Sequence, residues 1–253
     1  KRQLLTGSEV EQYQELGFAI PVRHYLDFMR SNQITSALDA SRLVTYEDYL
    51  LELFADGEFQ TNPRLRFDAL KALRDHIEDE SIVDPGLVET IGRRILDVFN
   101  APQERVRFRS SSNVEDAAEF NGAGLYDSTS VCVADDFDND TSGPSLCQAF
   151  KNNERGVARG LQRVWGSLWN FRAYEEREFY GIPQDLAGMA VLVNRAFVQE
   201  RANGVAFTGN PTNPLDRRYV ITVQLGEESV VSPEPGVIAE KNGVEVDANG
   251  QVE

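Results

Sequence analysis

Residues Arg107–Ser128 read RFRSSSNVEDAAEFNGAGLYDS. The six residues Glu104–Arg109 (ERVRFR) alternate in polarity and predict a strand. The strand is expected to stop at Ser110-Ser111-Ser112-Asn113, a polar turn, so that Arg109 leaves its end into a run of hydroxyls. Glycines a dozen residues later allow backbone to approach a ligand closely. An arginine fork with exposed backbone N–H groups is what a polyphosphate requires. Glu115, Asp116 and Asp127 could hold Mg²⁺ directly or through water. The plainer reading is a surface turn, with Asn113 as a cap and glycines set for positive φ. Short glycine motifs occur too often by chance for spacing alone to choose between the two.

Toward the N-terminus the chain reads as mainly helical. Pro21 opens a helix over Val22–Arg30, with Tyr25, Leu26, Phe28 and Met29 available for a core. Pro63 begins another, with Phe67, Leu70, Leu73 and Ile77 near helical spacing. Asp84-Pro85 is a cap and first-turn pair ahead of Leu87, Ile91, Ile95 and Val98. Toward the C-terminus, a second strand is expected over Leu125–Val133, and the acidic run Asp135–Asp140 as a solvated loop. Leu146, Phe150, Val157, Leu161, Val164, Leu168 and Phe171 mark one face of a long helix, interrupted at most near Gly156 or Gly160. Met189–Val193, Gly204–Thr208 and Tyr219–Leu225 read as strands. Helices first, then strands around one long helix, predict an α+β chain on a largely antiparallel sheet.

Of the 253 residues, 41% are apolar, enough for one large domain or two lobes sharing a cleft. The net charge of −16 repels a phosphate backbone, so nucleic acid is not an expected partner. A small polyanion held by local arginines is compatible with it. No apolar run reaches the length of a membrane span. Cys132 and Cys147 make no C-x-x-C pair and read as semi-buried thiols, which points to a cytoplasmic setting. His24 and His76 fall in amphipathic helical patterns, and Trp165 and Trp169 at core spacing.

Arg109-Ser110-Ser111, Glu115-Asp116 and Gly122-Ala123-Gly124 together resemble the PEP/pyruvate-binding domain of the phosphoenolpyruvate synthase, pyruvate phosphate dikinase and glucan water dikinase group. The wording NVED…GAGLYDS is closer to the glucan water dikinase branch than to the FAGQ loop of the synthases. Further blocks follow in order: GFAIPVRHYLDFM (Gly17–Met29), VWGSLWNFRAYEEREFYGIP (Val164–Pro183), MAVLVNRAF (Met189–Phe197), GVAFTGNP (Gly204–Pro211) and QLGEESVVSP (Gln224–Pro233). An ordered series of blocks is far more specific than any one of them.

The resemblance implies an ATP-grasp-like, two-lobed α+β domain with a mixed, largely antiparallel sheet. It would occupy residues 1–253 and be incomplete at both ends, helical over about 1–100 and sheet-containing over about 101–253. It implies that Arg109 contacts ATP phosphates and is the catalytic candidate, and that Gly122, Ala123 and Gly124 form the loop over them. Val193, Asn194, Arg195 and Ala196 would line an adenine pocket with backbone groups, and Glu227 would sit near the site. Arg172 is a lesser candidate that fits equally as helix polar face. ATP and Mg²⁺ are the implied cofactors, and a phosphohistidine carrier domain the implied partner. The family's nucleotide-contacting lysine lies upstream of the Gly17 block, so Lys1 does not take that role, and its D-x-E and Q-x-R ligands lie downstream of Glu253. Alone, the chain is therefore expected not to turn over ATP. An inactive nucleotide-binding or regulatory module of the same fold is the competing expectation.

Overall fold

The computed structural model describes residues 16–100, 102–117, 120–122, 124–138, 143–148, 152–197, 200–213, 215–226 and 239–245. The chain is α+β and separates into two compact units, one spanning 15–196 and the other containing the described residues after Ala196.

The first unit opens with β1 (Gly17–Ile20), which Pro21 turns into α1 (Val22–Ser31). Tyr25, Phe28 and Met29 recur at helical spacing and are buried. A short hairpin, β2 (Gln33–Thr35) and β3 (Leu43–Thr45), precedes α2 (Tyr46–Ala55) and α3 (Gly57–Thr61). Two longer helices follow, α4 (Pro63–Asp79) and α5 (Pro85–Phe99). Each starts as its sequence predicts. The Asn62 side chain accepts from the Arg64 and Leu65 amides, the Asp84 side chain from the Leu87 amide, and proline takes the first helical position. Leu70, Leu73 and Ile77 of α4 and Ile91, Ile95 and Phe99 of α5 enter the core. Phe67 stays 39% exposed and packs edge-on against Phe171.

The strands β4 (Arg105–Ser112), β5 (Asp116–Ala117), β6 (Phe120–Asn121), β7 (Thr129–Cys132) and β8 (Met189–Arg195) come next, with α6 (Val157–Gly166) and α7 (Phe171–Phe179) between the last two. A four-stranded sheet runs in the order β1-β8-β4-β7, every pairing antiparallel, and β5 and β6 pair as a hairpin. The second unit holds a separate antiparallel sheet of β9 (Ala202–Phe207), β10 (Tyr219–Leu225) and β11 (Glu240–Val244), with β10 in the middle. Among the described residues no helix is long and apolar enough to cross a membrane.

Five expectations are corrected. The strands lie in two main sheets rather than one. The second strand is shorter than predicted, covering 129–132, because Leu125 and Tyr126 enter the core from a turn. The long helix starts only at Val157, where the carboxylate of Asp136 caps its first amide at 2.9 and 3.1 Å, and ends at Gly166, so that Leu168 lies in a following 3-10 turn, Phe171 opens α7 and Leu146 lies outside, exposed; Phe150 lies outside the described residues. Asp135 is no solvated loop residue: it is buried, and its two oxygens accept from the Leu146 and Arg155 amides at 2.8 and 2.9 Å. Cys132 and Cys147 form a disulfide, with their Cα atoms 5.8 Å apart. Sequence separation gave no hint of this, since the turn at Ser145–Gln148 is what returns Cys147 to the end of β7. The bond also removes the thiol argument for a cytoplasmic setting.

Candidate functional site

β4 does not stop at Arg109. It continues through the three serines to Ser112, held along its length by β8. Arg109 is therefore a mid-strand residue, and the predicted strand-end position is corrected. Serines sustain the strand here because pairing with a central neighbour outweighs their turn preference. Val106 and Phe108 point into the core, where α6 packs: a Cβ at Gly160 would lie 2.3 Å from Val131 and 3.1 Å from Phe108. Arg105, Arg107 and Arg109 alternate onto the opposite face.

Register decides what joins them. Arg109 sits opposite Leu192 and Arg107 opposite Asn194, while Ala196 N–H donates to Arg105 C=O at 3.1 Å. Directly opposed residues share a sheet face, so the arginine row forms one surface with Leu192, Asn194 and Ala196, while Val193 and Arg195 pair with Phe108 and Val106 on the other face. The β7 ladder ends at the Phe108–Thr129 pair. Arg109 is the first arginine beyond that end, flanked by β8 alone, and it is exposed. Arg107 is half-buried and donates to Ser130 Oγ at 3.4 Å. Burial, and next the charge of Arg109 followed by other guanidiniums, hold Arg107 below the ordinary arginine range.

The remaining predicted residues are distributed as follows. Val193 and Asn194 pair with β1 on one side and β4 on the other, with Val193 buried. The β1 ladder ends at Gly17–Asn194, leaving Arg195 and Ala196 paired on the β4 side only. Arg195 forms an ion pair with Glu104 at 3.6 Å. Gly122 is buried, donates to Glu115 C=O at 2.8 Å and accepts from the Leu125 amide at 3.1 Å. Gly124 follows at φ 81°, a conformation that favours glycine. Ala123 and Glu227 lie outside the described residues. Arg172 pairs with Glu176 on the exposed face of α7. His24 is half-buried, and His76 Nδ1 hydrogen-bonds Tyr46 Oη at 2.8 Å.

The NVED turn is built as a clamp. Asn113 donates to Leu186 C=O at 2.9 Å and accepts from Gly188 N–H at 2.7 Å, tying the turn to the entry of β8. Glu115 accepts from its own turn at the Ser112 amide, 3.3 Å away. Asp135, Asp138 and Glu154 bring carboxylate oxygens within 4.8 Å of one another. Because both Asp135 oxygens already accept backbone amides, that cluster serves the loop fold and is assigned no metal.

Sequence reasoning missed Arg177. Its side chain is fully buried, yet among the described residues it forms no ion pair. It donates to Gln184 Oε1 at 2.8 Å, Leu168 C=O at 2.9 Å and Tyr126 Oη at 3.2 Å, and lies over the Trp169 ring. Tyr126 belongs to the GLYDS block, so Arg177 joins the segment after the glycine turn to α7. Its place among the polar residues of an outwardly solvated helix pattern gave no signal of burial.

Residues 7–245 match the family described as pyruvate phosphate dikinase, AMP/ATP-binding domain. The chain is also similar to a phosphoenolpyruvate synthase of Aeropyrum pernix, with 29% identity over 155 residues, 59% of this chain. That segment spans 16% of the relative's length.

Proposed function

The chain belongs to the pyruvate phosphate dikinase AMP/ATP-binding domain family, and from that premise we propose that it uses Arg109 to hold the phosphates of Mg·ATP for transfer to a histidine on a separate domain. Phosphoryl transfer asks a protein chiefly for positioning and neutralisation of charge. Arg109 supplies a planar fork with five N–H donors, matched to phosphate oxygens. The Gly122 and Ala196 amides are already engaged, by Glu115 C=O and Arg105 C=O, so the glycine turn contributes close backbone approach at Gly124, and Arg195, past the end of the β1 ladder, offers backbone to the base. Mg²⁺, when bound with the nucleotide, supplies further neutralisation; no donor set of this chain is assigned to it.

The observation that supports this reading is the β4–β8 register, which sets Arg109 beside Leu192 on the face shared with Asn194 and Ala196. The exposed position of Arg109 past the end of β7 distinguishes it from Arg107, which is engaged with Ser130.

The test is nucleotide affinity, together with single-turnover labelling of the carrier histidine in the full-length protein. A charge-assisted bond is worth about 1.5–3 kcal/mol, so Arg109→Ala should weaken binding or the first transfer by at least about tenfold. Arg109→Lys should recover only part, since it keeps the charge and loses the fork. Arg105→Ala should do far less. Equal, small effects at Arg105 and Arg109 would reduce the serine motif to a structural one.

A further inference from the structure

A second concentration of positive charge lies along β7, the edge strand of the four-stranded sheet. Ser130 of β7 faces Arg107 and accepts its hydrogen bond. Beyond β7 the chain returns alongside it, with Cys132 N–H donating to Arg155 C=O at 2.9 Å, and then enters α6. Arg155 lies just before α6, and Arg159 and Arg163 lie on it, four residues apart. With Ser130 and Glu154 they line a cavity of about 50 Å³.

Like charges four apart on a helix repel one another, as Arg159 and Arg163 do. Arg159 is neutralised by Asp79 at 3.3 Å and Glu78 at 3.6 Å. Among the described residues Arg107, Arg155 and Arg163 have no ion-pair partner, and Glu154 is the single acid among the lining residues. The lining itself is thus net positive in a chain of net charge −16, with the carboxylates of Asp135 and Asp138 within 4.8 Å of that of Glu154. Burial, then the charge of Arg163 and Arg105, holds Arg155 below the ordinary arginine range, as burial and neighbouring cations do for Arg107. These guanidiniums stand in one another's field, and an anion among them would relieve it. The cavity is far smaller than the roughly 300 Å³ of an ordinary small-molecule site, which excludes a nucleoside but suits one tetrahedral group.

We propose that Ser130, Arg155 and Arg163, with Arg107 behind Ser130, bind a phosphate-type oxyanion at the β7 edge. The site shares no residue with the Arg109 reading and stands independently of it. The source is a free anion or the phosphate of a larger ester.

Calorimetric titration with inorganic phosphate, and thermal unfolding with and without it, test this. Saturable binding is expected, with a rise in Tm that grows with phosphate concentration. Arg155→Gln/Arg163→Gln should weaken binding by at least about tenfold and leave the phosphate-free Tm equal or higher, because repulsion is relieved. Arg163→Gln alone, at an exposed position, should weaken binding without affecting folding. Arg109→Gln should retain phosphate binding. AMP and glycerol phosphate separate the sources: a response to either ester, lost with Arg163→Gln, extends the site to ester phosphates. A response to AMP alone, lost in Arg109→Gln and kept in Arg163→Gln, overturns the proposal. So does an equal phosphate response in wild type and double variant, or no saturable response in the wild type.

Discussion

Arg177 shows what one buried cation demands of its surroundings. Its three acceptors are neutral, and each would be stranded by its loss: Tyr126 Oη, Gln184 Oε1 and the Leu168 carbonyl. Arg177→Leu should therefore destabilise the fold by at least about 3 kcal/mol, read as the shift in urea midpoint at constant slope. Gln184 depends on the same network, donating to Tyr174 C=O at 3.0 Å and Glu178 Oε1 at 2.9 Å. At the surface, Asp216 presents the opposite case. The Arg218 side chain first, then Asn210 and the Arg218 amide, hold its carboxyl below the ordinary range. A depressed folded value stabilises above the unfolded pKa of about 3.9 and loses that stabilisation as pH falls. Amide exchange at Arg218 should accordingly speed up on acidification below about pH 4 relative to neighbouring turns, and Asp216→Asn should flatten that dependence.

Among elements, α6 is the most constrained. Gly160 faces the sheet so closely that a Cβ there would overlap Val131 and crowd Phe108. Gly160→Ala raises helix propensity, yet should cost about 1–3 kcal/mol through overpacking, measured by chemical unfolding. The helix also draws its cap from a distance, since Asp136 lies in the segment after β7. Asp84 is the local counterpart on α5. Asp84→Ala should cost about 1 kcal/mol by the same measurement. The two caps differ in legibility for a plain reason: Asp84-Pro85 is contiguous with its helix, whereas Asp136 reaches Val157 only after the chain has folded back.

At the scale of the whole molecule, the disulfide is the one covalent cross-link among the described residues. It closes a loop of 15 residues between Cys132, at the end of β7, and Cys147. Such a loop constrains the unfolded chain by about 3 kcal/mol. A thiol-reactive reagent should find neither cysteine free in the oxidised protein. Reduction should lower the unfolding midpoint, while Cys132→Ala/Cys147→Ala should be insensitive to the reductant.

The sequence by itself determined the helices whose signals are local. Pro63 and Asp84-Pro85 mark starts, and the apolar spacing behind each marks the buried face. It also determined the family, because ordered motif blocks survive without reference to contacts. β10 was legible to its ends from YVITVQL, a β-branched run bounded by turn chemistry. Only tertiary structure decided that β4 runs on through Ser112, that β8 lies between β1 and β4, and that Arg107 and Arg109 have different neighbours on the same strand. It also decided that Cys132 meets Cys147 and that Arg177 is buried. The physical reason is common to these cases. Strand pairing, cross-linking and the burial of a charge each depend on a partner far away in sequence, and periodicity along one segment carries no information about which partner arrives.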